Sequence, residues 1–538
     1  MSSWRRAVPW GVLAAGIAFS GFLLTLTRPG VFYSGDAGVK FLLVEQFARG
    51  EFHSDLRLAA VPWVRDLWAH GFYPFEPPFV YEVGDRHFAC YPVPFLLLTA
   101  PAYGLLGWRG MYFWPMVGLL AAWLSLFRLC RRFDCGVAWT GLALFALEFC
   151  TPLTLYGAMY WEHTLGVALA FSGVALLVAP AAGSYRWNGF VAGLLVGLAV
   201  WFRSELVWFA AMTALLVPFA RWLGAQLRGR IEYLGGLAVA GAGLVVWNVA
   251  VYGYALGFHA KHVVEGADLA SRVREIAWVI PRLLYLAVRH GPVVVVACSA
   301  AVLVLALGLG NESMRGQIRL WAALGVAFVL GVAVVLPSLQ FGGDGGKQFG
   351  PRYLLVMFPI ACLGLALTVP VLWERASSMV RAAIGVVLAL ACGAGVWLNS
   401  MAGAKDLASD YRSRVVPLIE VLQANPSETV VVSHQYVAQE LASQFGAKQF
   451  LLAPNEGALE QLVPALLEKG QARFLLGTFA SSVEGEFRIP SRGQGPPLWL
   501  DIKRIRCTSQ FCLHDVHILG APHASGSEQY STQDPTDQ

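Results

Sequence analysis

Charge is scarce in this sequence. Asp, Glu, Lys and Arg make up 14% of its 538 residues and apolar residues 57%, whereas an ordinary soluble domain carries about 25% charged residues. A water-soluble chain of this length would divide into several domains with polar exteriors, and too little charge is present to cover them. The nine cysteines show no metal-ligand spacing, and most lie in apolar runs. The C-terminal region has no phosphate-cradling glycine loop of the nucleotide or dinucleotide type. No small-residue cleavage site follows the first apolar run, so the segment behind Arg5 and Arg6 reads as a retained first span, not a removed signal peptide. The formal charge of +5 is a topology signal and not a nucleic-acid footprint.

Long apolar runs take the place of charge. Stretches of about 17–25 apolar residues can cross a bilayer as helices. Eleven are expected, at roughly 9–27, 111–128, 135–155, 160–179, 187–202, 204–222, 233–252, 291–310, 320–337, 353–371 and 382–399. A twelfth run, 91–107, is short and carries Pro92, Pro94 and Pro101, which interrupt a simple helix. The arginines decide its placement. If 91–107 stays on one side and the N-terminus is cytoplasmic, the cytoplasmic connections contain Arg128, Arg131 and Arg132, then Arg186, then Arg221, Arg228 and Arg230, then Arg315 and Arg319, then Arg375 and Arg381. That pattern satisfies the positive-inside rule. It leaves two long segments, about 28–110 and 253–290, and the glycine-rich 338–352 outside. The second contains amphipathic stretches suited to lying in the membrane interface.

The expected architecture is therefore a polytopic α-helical membrane protein of about eleven transmembrane helices over 1–400. A small extracytoplasmic α/β domain follows at 405–522, and the polar tail 523–538 is expected to lack fixed structure. Strands are expected near 428–433, 448–453, 472–477, 502–507 and 514–519, with helices at 435–445 and 457–469. Cys507 and Cys512 are close enough in sequence to form a disulfide if this domain faces an oxidising compartment.

Polar residues at span ends carry the functional signal. Asp36, between two glycines in YSGDAG, suits a general base near the membrane surface, and equally suits capping of the helix that follows. Glu162 and His163 stand at the outer end of the fourth run. An ionisable residue there should face the bundle interior, while the helix dipole also favours an acid in a first turn. Arg203, in FRSE, can clamp an anionic headgroup or pair with Glu205. Lys347 and Arg352, in KQFGPRYLL, follow flexible glycines and precede a helix, a setting for phosphate recognition or for a simple surface loop. On the topology set by other residues, all of them fall on one membrane face. A carboxylate to activate an acceptor hydroxyl, with cations for a departing lipid phosphate, is the chemistry such a set would perform.

YSGDAG after the first span, YWEHTL, FRSE and KQFGPRYLL together resemble the polytopic glycosyltransferases of the GT-C superfamily. Relatives include the protein O-mannosyltransferases and the lipid A aminoarabinose transferase. The resemblance covers about 1–400. It implies an inverting glycosyltransferase that takes sugar from a polyprenyl-phosphate-type donor to a glycan, lipid or protein acceptor. Asp36 would be the base, Glu162 a second carboxylate, and His163, Arg203, Lys347 and Arg352 the substrate contacts. Many members carry two adjacent acids where this chain has Gly35-Asp36. Some use a divalent metal, for which no ligand cluster is legible here. The expected location is the outer face of a bacterial cytoplasmic membrane, with the C-terminal domain outside. A transporter or flippase for a lipid-linked sugar is the alternative, although that function would place polar residues near the midplane in repeated halves.

Overall fold

Uninterrupted apolar sequence makes helices wherever no water is available to satisfy backbone amides and carbonyls, and most of this chain follows that rule. A computed structural model describes residues 3–178, 187–216, 227–258, 269–335, 347–480, 485–489 and 498–519. Arg186, Arg221 and the tail 523–538 lie outside the described residues, as do parts of the loops expected at 253–290 and 338–352. The chain divides into two compact units. One comprises Met1–Arg57 with Glu76–Arg412, the other Leu58–Phe75 with Ser413–Gln538.

The first unit is a polytopic helical membrane bundle. Each of the eleven expected stretches coincides with a helix. Among the described residues, six helical stretches are long and apolar enough to cross a membrane: Ala7–Leu26, Val93–Arg132, Gly229–Tyr252, Glu312–Val334, Met357–Arg375 and one beginning at Ser378. Four more apolar helices are shorter, Val137–Phe149, His163–Val178, Asn188–Phe202 and Leu206–Leu216. The Val137–Phe149 helix stops before Pro152, which shortens the stretch expected at 135–155. The proline-bearing run 91–107 is a helix, Val93–Leu106, with Pro94 in its first turn and Pro101 inside. At 14 residues it is about 21 Å long.

Two local patterns position the bundle. Asn188–Phe202 carries Gly189, Gly193 and Gly197 at four-residue spacing, facing the helix Leu227–Tyr252. A Cβ at Gly193 would overlap the carbonyl oxygen of Tyr233, and one at Gly236 the carbonyl oxygen of Phe190. Small residues are what allow membrane helices to approach this closely. Gly193→Ala is expected to force the two helices apart, at about 1–3 kcal/mol for overpacking. Thermal unfolding of the detergent-solubilised protein reads this as a lower midpoint, and an unchanged midpoint would refute the tight pairing. The second pattern is the helix Leu269–His290, which meets Pro292–Ala306 at 105°. Arg274, Trp278, Arg282, Tyr285 and Arg289 are exposed along it while Val279 and Leu283 are buried. Trp, Tyr and Arg on one exposed stripe suit a headgroup layer. A short hairpin, β1 (Val80–Val83) with β2 (Arg86–Ala89), also belongs to this unit.

The second unit is an α/β domain. Its sheet has the order β4-β3-β5-β8-β7-β6, with β3 Thr429–Val432, β4 Gln449–Leu452, β5 Arg473–Phe479, β6 Gly485–Ile489, β7 Leu498–Cys507 and β8 Phe511–Leu519. β3 is parallel to β4 and β5, and the remaining pairs are antiparallel. The helices Gln435–Glu440 and Glu456–Glu468 provide the crossovers that parallel strands need. Val431, Leu451, Leu462, Leu466, Phe474, Leu500 and Val516 form the core. Cys507 and Cys512 are disulfide-bonded at the β7–β8 turn.

Residues 58–75, assigned by sequence to the first long loop, belong to this domain. Val64, Leu67 and Phe72 join its core, and the Trp68 indole N–H donates to the Phe450 carbonyl at 2.9 Å. Short helical segments of this kind bury an apolar stripe wherever a complementary face exists, and local sequence does not say where that face is.

Arg473 donates to both oxygens of Asp515 across β5 and β8, at 2.7 and 2.6 Å. These bonds hold the Asp515 carboxyl below its ordinary value of 3.8. A carboxylate depressed in the folded state contributes stability above its ordinary pKa and loses it as pH falls through the folded one. Amide exchange in β5 and β8, corrected for the intrinsic slowing of exchange in acid, should therefore quicken below that ordinary value. Asp515→Asn should show the faster exchange already at neutral pH, and identical exchange in both proteins would exclude the pair as a pH-dependent clasp.

Candidate active site

Five of the six predicted site residues, Asp36, Glu162, His163, Arg203 and Arg352, meet where helices of the first unit begin or end. Asp36 is in the first turn of Gly35–Ala48, and Glu162 immediately precedes His163–Val178. Arg203 caps Asn188–Phe202, and Arg352 opens the turn before Met357–Arg375. The aspartate does not cap: its helix begins at Gly35 after Ser34, leaving the Asp36 side chain to project from the first turn.

Glu162 is 1% exposed and both its oxygens are engaged. Oε2 accepts from Lys40 Nζ at 2.5 Å and Oε1 from Arg203 Nη1 at 2.9 Å. Arg203 Nε also donates to Glu205 at 2.9 Å. Asp36 Oδ1 accepts from the Tyr91 hydroxyl at 3.0 Å, and Arg352 Nη1 lies 3.7 Å from Oδ2. Arg352 Nη2 donates to the Tyr353 hydroxyl at 2.6 Å. Three carboxylates, Asp36, Glu162 and Glu205, thus meet three cations, Lys40, Arg203 and Arg352. Buried charges persist only when paired in this way.

The pairing is uneven. Arg203 is fully committed to two carboxylates. Arg352 is held only by the longer contact to Asp36 and by Tyr353, and its Nε is buried with no hydrogen-bond acceptor among the described residues. Asp36 keeps 19% of its side-chain surface exposed, against 1% for Glu162. A small cavity beside Arg352 is lined by His163, Arg203, Glu205, Tyr353 and apolar residues. The His163 ring stacks obliquely near Tyr156 and Trp161, centroids 5.2 and 5.1 Å away.

Lys347 is placed differently from the expectation. It forms a second cluster, bonded to Asp406 at 3.3 Å and Asp410 at 2.5 Å, with its ammonium 4.8 Å from the Tyr33 ring centroid. The Tyr33 hydroxyl donates to Asp406 at 2.9 Å. Lys347 therefore has carboxylate partners from a segment some 60 residues downstream that the sequence reading left out.

Lys40, Tyr91 and Tyr353 were missed by that reading. Lys40 had a legible signal: it lies one helical turn after Asp36 in an otherwise apolar helix, so the two share a face. Tyr91 had none, because it reaches Asp36 across 55 residues.

Compared with solved structures, the chain matches ArnT from Cupriavidus metallidurans bound to undecaprenyl phosphate with a TM-score of 0.52 at 11% identity, covering 94% of this chain and 97% of that one. The chain shares the fold of this ArnT structure. The apo form of the same ArnT matches equally, with TM-score 0.52 at 12% identity and the same coverage of both chains. The archaeal oligosaccharyltransferase AglB from Archaeoglobus fulgidus, in complex with an inhibitory peptide and a dolichol-phosphate, matches with TM-score 0.50 at 13% identity, over 88% of this chain and 70% of that one. No protein-family profile and no curated protein matches by sequence. Use of a divalent metal is one implication of the resemblance noted from the sequence. The residues here do not fit one: Glu162 spends both oxygens on Lys40 and Arg203, and no group of three His, Cys, Asp or Glu side chains gathers among the described residues.

Proposed function

We propose that this protein is an inverting glycosyltransferase that transfers a sugar from a polyprenyl-phosphate-type donor to an acceptor hydroxyl at the outer face of a bacterial cytoplasmic membrane. The C-terminal domain would then also be extracytoplasmic, and about eleven helices would span the membrane. The observation that carries this reading is Asp36 beside Arg352, an accessible carboxylate 3.7 Å from a buried guanidinium whose Nε has no acceptor among the described residues. Arginine is suited to phosphate by charge and by its fixed fork of donors. The shared fold supports the same assignment, since the ArnT relative was solved with undecaprenyl phosphate and the AglB relative with a dolichol-phosphate.

The chemistry balances with these groups alone. An Asp36 oxygen takes the proton of the acceptor hydroxyl as that oxygen bonds to the anomeric carbon. The bond from this carbon to the phosphate oxygen breaks on the opposite face, and its electron pair leaves with the lipid phosphate. Arg352 stabilises the charge that develops there. Glu162 holds Lys40 and Arg203 in place, His163 and Tyr353 line the cavity, and Lys347 anchors the segment leading into Arg352. The acceptor is a glycan, lipid or protein. The test is transfer of radiolabelled sugar from a panel of polyprenyl-linked donors into the native membrane fraction. A labelled product establishes the reaction and names the acceptor. No transfer from any donor that binds would refute it.

A further inference from the structure

We infer that Lys40 takes the place of a divalent metal, serving as the cation that links Asp36 and Glu162, and that sugar transfer is metal-independent. The inference rests on the glycosyltransferase reading for its function and on geometry for its placement.

Two carboxylates that share a site repel one another unless a cation stands between them. A bound metal is one solution and also acts as a Lewis acid. Here the position is filled by the chain itself. Lys40 is 1% exposed. Its ammonium bonds Glu162 Oε2 at 2.5 Å and lies 4.9 Å from the centroid of the Tyr91 ring. The hydroxyl of that ring donates to Asp36. Lys40 thus touches one acid directly and is linked to the other through a single aromatic residue. It rises from the same helix as Asp36, one turn on.

A Mg²⁺ or Mn²⁺ ion binds carboxylate oxygen at about 2.0–2.1 Å and demands near-octahedral geometry. On Glu162 Oε2 it would stand against the Lys40 ammonium, and on Oε1 against the Arg203 guanidinium, where like charges in a site of low dielectric repel strongly. Asp36 and the Glu205 oxygen that Arg203 leaves unengaged would be the remaining protein donors, too few for such a shell, and no group of three His, Cys, Asp or Glu side chains gathers among the described residues. An ammonium is a compact point charge with three donors, and it can screen Asp36 from Glu162 without competing for the Asp36 oxygens that must receive a proton. Lys40 is accordingly a positioning residue.

The experiment uses the full-length purified protein in nanodiscs. Mn²⁺ binding is followed by electron paramagnetic resonance, and transfer is assayed with and without a chelator. The wild type is expected to leave Mn²⁺ free and to transfer sugar equally well after chelation. Lys40→Ala should lower transfer by about 100-fold or more, and Mn²⁺ should both bind this variant and restore part of the loss, which a merely structural role would not produce. Lys40→Arg, which keeps the cation, covers the case in which the alanine variant does not fold, and should stay insensitive to chelation. Tight stoichiometric Mn²⁺ binding by the wild type, or loss of its transfer on chelation with recovery on Mn²⁺, would overturn the inference. So would a folded Lys40→Ala with wild-type transfer. Should the wild type transfer no sugar from any donor, the glycosyltransferase reading fails, and Mn²⁺ binding still decides the placement of Lys40.

Discussion

Asp36→Asn should lower sugar transfer by about 10²–10⁴-fold, the range contributed by a positioned general base, while leaving the protein folded and able to bind the lipid phosphate. The substitution is nearly isosteric. The Asn carbonyl can still accept from Tyr91, so the local hydrogen bond survives. What disappears is the negative charge that receives the acceptor proton. Arg352 also loses its carboxylate partner at 3.7 Å, which releases it toward phosphate and should hold donor affinity constant or raise it. The effect therefore falls on turnover and not on donor KM. Arg352→Ala predicts the opposite division, with donor binding weakened. The pair of variants separates base from phosphate anchor, measured by transfer kinetics and by binding of unlabelled lipid phosphate. Equal transfer by Asp36→Asn and wild type would remove Asp36 from the mechanism.

Glu162→Gln is expected to be the most damaging conservative change to stability in the bundle, at about 3–5 kcal/mol, because it strands buried charge. The carboxylate neutralises two cations at once, Lys40 at 2.5 Å and Arg203 at 2.9 Å. Arg203 retains Glu205 at 2.9 Å. Among the described residues Lys40 then retains the Tyr91 ring alone, a weak partner for a desolvated ammonium. A carboxamide can accept one hydrogen bond but supplies no charge. The thermal midpoint in detergent should drop sharply, and the double variant Glu162→Gln with Lys40→Met should recover much of the loss, since removing both members of a buried pair costs far less than removing one. A Glu162→Gln midpoint equal to wild type would mean that water, not the protein, solvates this cluster.

Much of this organisation is legible before folding. The helices follow from apolar run length, and the arginine clusters argue for their direction. In the C-terminal region, short β-branched and aromatic runs such as TVVV and QFLL become β3 and β4 because they alternate with helical patterns and turn residues. Asp36, Glu162, Arg203 and Arg352 could be singled out because each interrupts apolar sequence at a helix end, where ionisable groups are costly without a purpose. The same reasoning singled out Lys347, and what it could not show is that Lys347 pairs with Asp406 and Asp410, acids in a polar segment where a carboxylate draws no notice. It also left residues 58–75 in a loop, because their apolar stripe is too short to declare its partner.

By itself, the sequence determined that this chain lives in a membrane, where its helices fall, and which ionisable residues need an explanation. These are local properties, set by hydropathy and by the 3.6-residue repeat of a helix. Only the tertiary structure decided how the charges are shared. Lys40 meets Glu162 across 122 residues, Arg203 meets Glu162 across 41 and Tyr91 meets Asp36 across 55. Where dielectric is low, a buried ion takes whatever partner the packed helices bring within reach, and that packing is what separates Arg203, already spent on two acids, from Arg352, which still has a donor to offer.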